Sequence, residues 1–267
     1  MVDTRRSRVP FRLLTVFLGA MCIVHALPVA HATTIVGIRT PEQMVIAADS
    51  LGTARGYRIE STRPVCKIFT VNGTAFAIAG FVKDPAWDFD AEKLIAESVR
   101  RQNRLTDAAN DLAGRMTEAL GSYLERLKKG NPSLHGKLLE EQDGTITSIL
   151  LSAYEGDRPV AIGLSFRASE VPSGRVKITA TRAACPGDCP DGVMYFLLGE
   201  RRPIERYMAE HGKDRLSPAS SGAPFLVQWV IDGGSKHVGP PIDVIVMDRR
   251  GVSWPSRKEG CGGAPSP

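Results

Sequence analysis

The sequence has no Gly-rich phosphate loop and no cluster with metal-ligand spacing, so no cofactor and no metal are expected. Basic tracts and basic patches interleaved with aromatics are missing as well, and aromatic residues make up only 6% of the chain. Nucleic-acid binding therefore has no support. No internal repeat and no linker divides the chain, which argues for one domain. No apolar run approaches the roughly 20 residues that a membrane-spanning helix needs. The longest candidate, from Leu13 to Ile23, is followed by His25 and Pro28. Membrane attachment of the processed protein is not expected. Cysteines number five in 267 residues, and Cys22 falls in the apolar leader.

What is present begins with that leader. Arg5, Arg6, Arg8 and Arg12 form a positive segment, Leu13 to Ile23 an apolar one, and Ala30-His31-Ala32 a small-x-small junction. This is the layout of a secretory signal peptide over 1–32. An uncleaved anchor, or cleavage after Ala26 or Ala30, are the competing readings. Cleavage after Ala32 exports the protein to the bacterial periplasm or beyond and leaves Thr33 with a free α-amine. One residue then carries both a nucleophilic hydroxyl and a base. The formal charge of +5 is largely the leader's: its four arginines and one aspartate supply +3, leaving +2 for the remainder. In an oxidising compartment Cys66, Cys185, Cys189 and Cys261 can pair in three ways. Pro186 and Gly187 bend the chain between Cys185 and Cys189, which favours that pair. Cys66 is left to meet Cys261 or to stay free.

The pattern along the chain mixes both periodicities. Thr33–Arg39 and Met44–Asp49 read as a strand hairpin, and so do Cys66–Val71 and Thr74–Gly80 around Asn72-Gly73. Asp90 can cap a helix with Ala91, Leu94, Ile95, Ser98 and Val99 on one face. A second helix runs from Thr106 to Lys129. Gly114 and Gly121 on one side of it allow a close helix crossing, and Gly130 with Pro132 ends it. Strands follow over Thr145–Tyr154, Pro159–Phe166, Arg175–Arg182 and Val193–Leu198. Helices over Glu200–His211 and Ala223–Lys236 lead to a last strand, Ile242–Met247. The expected fold class is α+β, with a domain over 33–254 and a loose tail over 255–267. His135 and His211 read as solvated.

Asp49 ends an apolar strand and Lys67 lies within another. Buried charges need partners, and each is the simplest partner for the other. Thr33-Thr34-Ile35-Val36-Gly37 followed by Val45-Ile46-Ala47-Ala48-Asp49-Ser50 resembles the start of a proteasome β-subunit, a family of N-terminal nucleophile hydrolases. The resemblance implies a four-layer αββα sandwich of two mainly antiparallel sheets between helices. It also implies that Thr33 is the nucleophile, that Asp49 and Lys67 are its partners, and that Gly80, in Ile78-Ala79-Gly80, is the oxyanion donor. Leu198-Gly199-Glu200-Arg201 stands where the family has Gly-Ser-Gly. Ser235-Lys236-His237-Val238-Gly239 stands where it has Asp-x-x-Ser-Gly. Glu200 and Ser235 are thus the altered supports of the α-amine. The implied activity is a threonine-type peptidase or amidase acting on a peptide or small amide, with a homo-oligomer open. The competing reading is an inactive binding or assembly protein on the same fold.

Overall fold

The computed structural model describes residues 29–31, 33–54, 57–58, 65–140, 144–189 and 192–261. Most of the leader (1–28), the junction residue Ala32 and the last six residues lie outside them.

The chain opens with β1 (Val29–His31), then β2 (Thr34–Arg39) and β3 (Met44–Ala48), whose side chains are all buried. Thr40 makes the turn between β2 and β3, its hydroxyl accepting from the amides of Glu42 and Gln43. Two short strands follow, β4 (Thr53–Ala54) and β5 (Tyr57–Arg58). β6 (Ile68–Val71) and β7 (Thr74–Asp84) turn on Asn72-Gly73, both at positive φ, as a two-residue hairpin requires. β7 continues past Gly80 and pairs with β8 (Phe89–Asp90). Asp90 then accepts from the Lys93 amide at 3.0 Å and starts α1 (Ala91–Arg101). α2 (Leu105–Gly130) has no side-chain cap of its own. Glu155 accepts from its first amide instead, at 2.6 Å. α3 (Pro132–Glu140), β9 (Thr145–Glu155), β10 (Arg158–Glu170), β11 (Val176–Cys185) and β12 (Met194–Gly199) come next. α4 (Arg202–His211), α5 (Ala219–Asp232), β13 (Asp243–Asp248) and β14 (Gly251–Ser256) complete the described chain.

Among the described residues the strands form two antiparallel sheets. One runs β11-β10-β9-β7-β1-β4-β5, with β6 and β8 also paired to β7; the other runs β12-β2-β3-β13-β14. Apolar side chains collect in three cores. α1, α2 and α3 pack on one face of the larger sheet through Leu112, Met116, Tyr123, Ile149 and Phe166. Ile35, Ile46, Ala77, Leu150 and Ile245 fill the space between the sheets. Val36, Val45, Ala223, Leu226 and Val230 join α4 and α5 to the smaller sheet. β2 and β3 are buried on both faces, which is why they read as near-continuous apolar runs.

Several expectations need correction. Pro132 does not merely stop a helix; it starts α3, since a helix's first turn needs no amide there. Gly114 and Gly121 do not sit at a helix crossing: a side chain at Gly114 would meet nothing, and one at Gly121 would meet Ile178 of β11. His135 is not solvated but 3% exposed. Within the expected tail, residues 255–261 are not loose: β14 runs on to Ser256, and beyond it Lys258 and Cys261 are buried, while 262–267 lie outside the described residues. Both disulfides form, Cys185–Cys189 and Cys66–Cys261.

Candidate active site

The β2–β3 register pairs Ile35 with Ala48, so the residues just outside it, Thr34 and Asp49, also face each other. Asp49 donates its amide to the Thr34 carbonyl at 3.3 Å. That hairpin places Thr33 beside the Asp49 carboxylate. The Thr33 hydroxyl donates to Asp49 Oδ1 at 2.7 Å and the Thr34 amide donates to the same oxygen at 3.0 Å. Lys67, just before β6, reaches Oδ1 as well, at 2.6 Å. The amides of Leu51 and Gly239 donate to Oδ2 at 3.1 Å each. Five donors thus converge on one carboxylate. Thr33, Asp49 and Lys67 are all buried, with relative exposures of 1%, 0% and 0%.

Burial is the main influence on Lys67. It pushes the ammonium down from 10.5 to about 8, against the opposing pull of Asp49, and the charge of Lys258 pushes it further the same way.

Gly80 lies mid-strand in β7 at φ +93°, a conformation that favours glycine. A Cβ there would sit 2.4 Å from the Ile146 carbonyl oxygen. Gly80 pairs with His31 of β1 on one side and with Thr147 of β9 on the other. The residues preceding Thr33 therefore run along β7 at Gly80.

Glu200 and Ser235, the two altered positions, touch each other. Ser235 donates its hydroxyl to Glu200 Oε2 at 2.6 Å, and the His237 amide donates to Ser235 at 3.1 Å. The Glu200 amide donates to the Thr33 carbonyl at 2.8 Å. Gly199 permits that approach. It has φ +76°, and a Cβ on it would stand 1.9 Å from the Thr33 carbonyl oxygen.

An open cleft of about 950 Å³ begins at Thr33 and Glu200. It lies over β9, β10 and β11, on the other side of β7 from β1. Ser148, Ser165, Thr179 and Thr181 line it, together with Arg167, Arg201, Arg202 and Arg206. Sequence reasoning missed this cationic lining because its arginines are scattered over β10, α4 and the turn before α4. It also missed Gly199, the Gly239 amide and Lys258. The segments Leu198-Gly199-Glu200-Arg201 and Ser235-Lys236-His237-Val238-Gly239 held the signal for the two glycines, whereas the segment around Lys258 offered none.

No protein-family model matches this chain, and no curated protein matches it. Solved structures do. An Anbu (Gly-1) mutant from Hyphomicrobium sp. strain MC1 superposes with a TM-score of 0.52 at 17% identity, over 85% of this chain and 86% of that one. Anbu (ancestral beta-subunit) from Yersinia bercovieri gives 0.48 at 17% identity, over 83% and 86%. The likeness is one of fold. It corrects the assignment made from sequence: the motif resemblance to proteasome β-subunits does not extend to membership of that family, because no family model matches and the first Anbu likeness carries only 17% identity. A proteasome-β-like fold is what stands.

No helix among the described residues is long and apolar enough to cross a membrane.

Proposed function

We propose that this chain is an N-terminal-threonine hydrolase of peptide or small amide bonds, exported and switched on when residues 1–32 are removed. The observation that carries the reading is the buried contact of the Thr33 hydroxyl with Asp49 Oδ1, which Lys67 shares, at the residue the leader junction would free. The three cores support the finer architecture, a four-layer αββα sandwich.

In the processed protein the α-amine of Thr33, with an ordinary pKa of about 8, takes the hydroxyl proton. Oγ1 bonds to the substrate carbonyl carbon. The Gly80 amide and the Lys67 ammonium steady the negative charge that develops. The carbon–nitrogen bond then breaks, and the α-ammonium returns its proton to the leaving amine. Water, deprotonated by the same amine, releases the acid and restores Thr33. Glu200, held by Ser235, takes the place of the usual amine support. Its carboxylate shares the cleft with Thr33, where it can hold the ammonium form. The arginines that line the cleft favour a substrate with an acidic group near the scissile bond.

The second reading is an inactive binding or assembly protein. It draws on the changed segments at Glu200 and Ser235, and on Phe225 and Trp229, which stand 43% and 41% exposed on α5.

Thr33→Ala separates the two. It removes the hydroxyl and one methyl group without adding bulk, so the circular-dichroism spectrum stays as in the parent while turnover on a panel of peptide amides falls to background. Equal turnover in the two proteins would end the catalytic reading.

A further inference from the structure

A second buried cation stands directly behind the Thr33 site, and it comes from the far end of the chain. The Lys258 side chain is 2% exposed, with Nζ 2.9 Å from Oδ2 of the fully buried Asp243, a close ionic contact outside ideal hydrogen-bond direction. The same ammonium donates to Ser50 Oγ at 2.6 Å and to the Val65 carbonyl at 2.9 Å. Ser50 follows Asp49, and Val65 lies two residues before Lys67. The Lys258 amide is fixed too, donating to Asp243 Oδ1 at 2.8 Å. One side chain therefore ties the segments that carry Asp49 and Lys67 to the start of β13.

Nothing local would bury this lysine. Its segment, Arg257-Lys258-Glu259-Gly260-Cys261, belongs to no helix or strand. What holds it is covalent. Cys261 is bonded to Cys66, the residue before Lys67, and its amide donates back to the Lys258 carbonyl at 3.2 Å. Arg257 donates to the Cys261 carbonyl and lies 5.3 Å over the Trp254 ring, closing the turn. Among the described residues, charged groups that act on Lys67 include Asp49, after β3, and Lys258 itself, whose charge Asp243 of β13 offsets.

We propose that Lys258 is a positioning residue for the Thr33 site, and that the Cys66–Cys261 disulfide delivers it, so that full activity requires oxidation. This rests on the hydrolase reading and adds a condition to it. Without the tether, the entropy of the short tail opposes burial of its lysine. The segments bearing Asp49 and Lys67 then lose their common clamp. Small displacements of catalytic groups cost about 100-fold in rate.

The experiment compares processed parent, Lys258→Met, Lys258→Arg and the double variant Cys66→Ser/Cys261→Ser. The double variant is expected to lose about 10- to 100-fold in kcat with KM little changed, and to be insensitive to dithiothreitol. The parent falls to the same level on reduction and recovers on reoxidation. Lys258→Met loses kcat similarly, and the alkaline limb of its pH profile moves upward, because a charge that lowers the Lys67 pKa has gone. Lys258→Arg keeps the charge and retains most turnover. Full turnover in the folded double variant, or a parental kcat and pH profile in Lys258→Met, would overturn the proposal. If Lys258→Met fails to fold, the double variant decides alone. The Lys67 resonance of ¹⁵N-lysine-labelled protein in a Thr33→Ala background gives a readout free of turnover: its midpoint rises when Lys258 is replaced. A parent that hydrolyses nothing refutes the hydrolase reading, whereas an unchanged midpoint refutes the role of Lys258.

Discussion

Asp49 is the residue on which the site turns, because its two oxygens accept from a hydroxyl, an ammonium and three amides without contact with water. Removing its charge leaves the Lys67 ammonium buried beside a neutral group. Asp49→Asn is therefore expected to cost about 3–5 kcal/mol, as breaking buried ion pairs does, measured by urea unfolding. A loss below about 1 kcal/mol is the scale of an exposed pair and would place Asp49 and Lys67 in water. Lys67 gives a pH prediction of defined sign. Its folded pKa is about 8 against the ordinary 10.5. Between those values the unfolded chain still holds a proton that the folded protein releases, so the unfolding free energy rises with pH across that window. Lys67→Met removes this contribution and flattens the rise. An unchanged slope would contradict the burial of Lys67. The meeting of Thr33, Asp49 and Lys67 was expected from sequence, Thr33 from the junction at Ala30-His31-Ala32 and the other two as charges in or beside apolar runs. Lys258 was not, since Asp243 and Ser50 lie far from it along the chain and its own segment has no periodicity.

At the scale of elements, hairpins and amphipathic helices were legible and their exceptions were not. Asn72-Gly73 and Asp90 marked real boundaries. α3 was hidden by a proline that reads equally as a stop or a start, and β14 by a stretch rich in glycine and serine. α5 begins at Ala219, ahead of the expected Ala223, and accommodates Pro224 within it. The end of β12 is the tightest point. Gly199 combines a positive φ with backbone contact against Thr33, so Gly199→Ala meets both conformational strain and a clash that no side-chain rotation relieves. Loss of turnover together with a lowered melting temperature is expected. Parental values in both would mean that β12 does not press on the nucleophile.

The described residues present a cleft lined by four arginines on one side of β7 and strand β1 on the other. Four arginines line that cleft together with Glu200, so matched peptide amides that differ only in an acidic or a basic residue near the scissile bond should differ by about tenfold in kcat/KM at low salt. The gap should narrow as salt screens it. Equal values at all salt concentrations would contradict a role for these arginines. At this scale sequence reasoning went too far in one respect. Local motifs around Thr33 suggested a family, whereas the likeness that holds is in fold. A three-residue constellation can be held by similar strands in chains that share little else.

The central claim is that the α-amine of Thr33 is the base. Two preparations test it most directly, released from a cleavable fusion so that one begins at Thr33 and the other carries a single glycine before it. Intact-mass spectrometry verifies both, and both are assayed on the same peptide amides. The protein that begins at Thr33 is expected to hydrolyse them and the extended protein to be silent. Equal rates in the two would contradict the account.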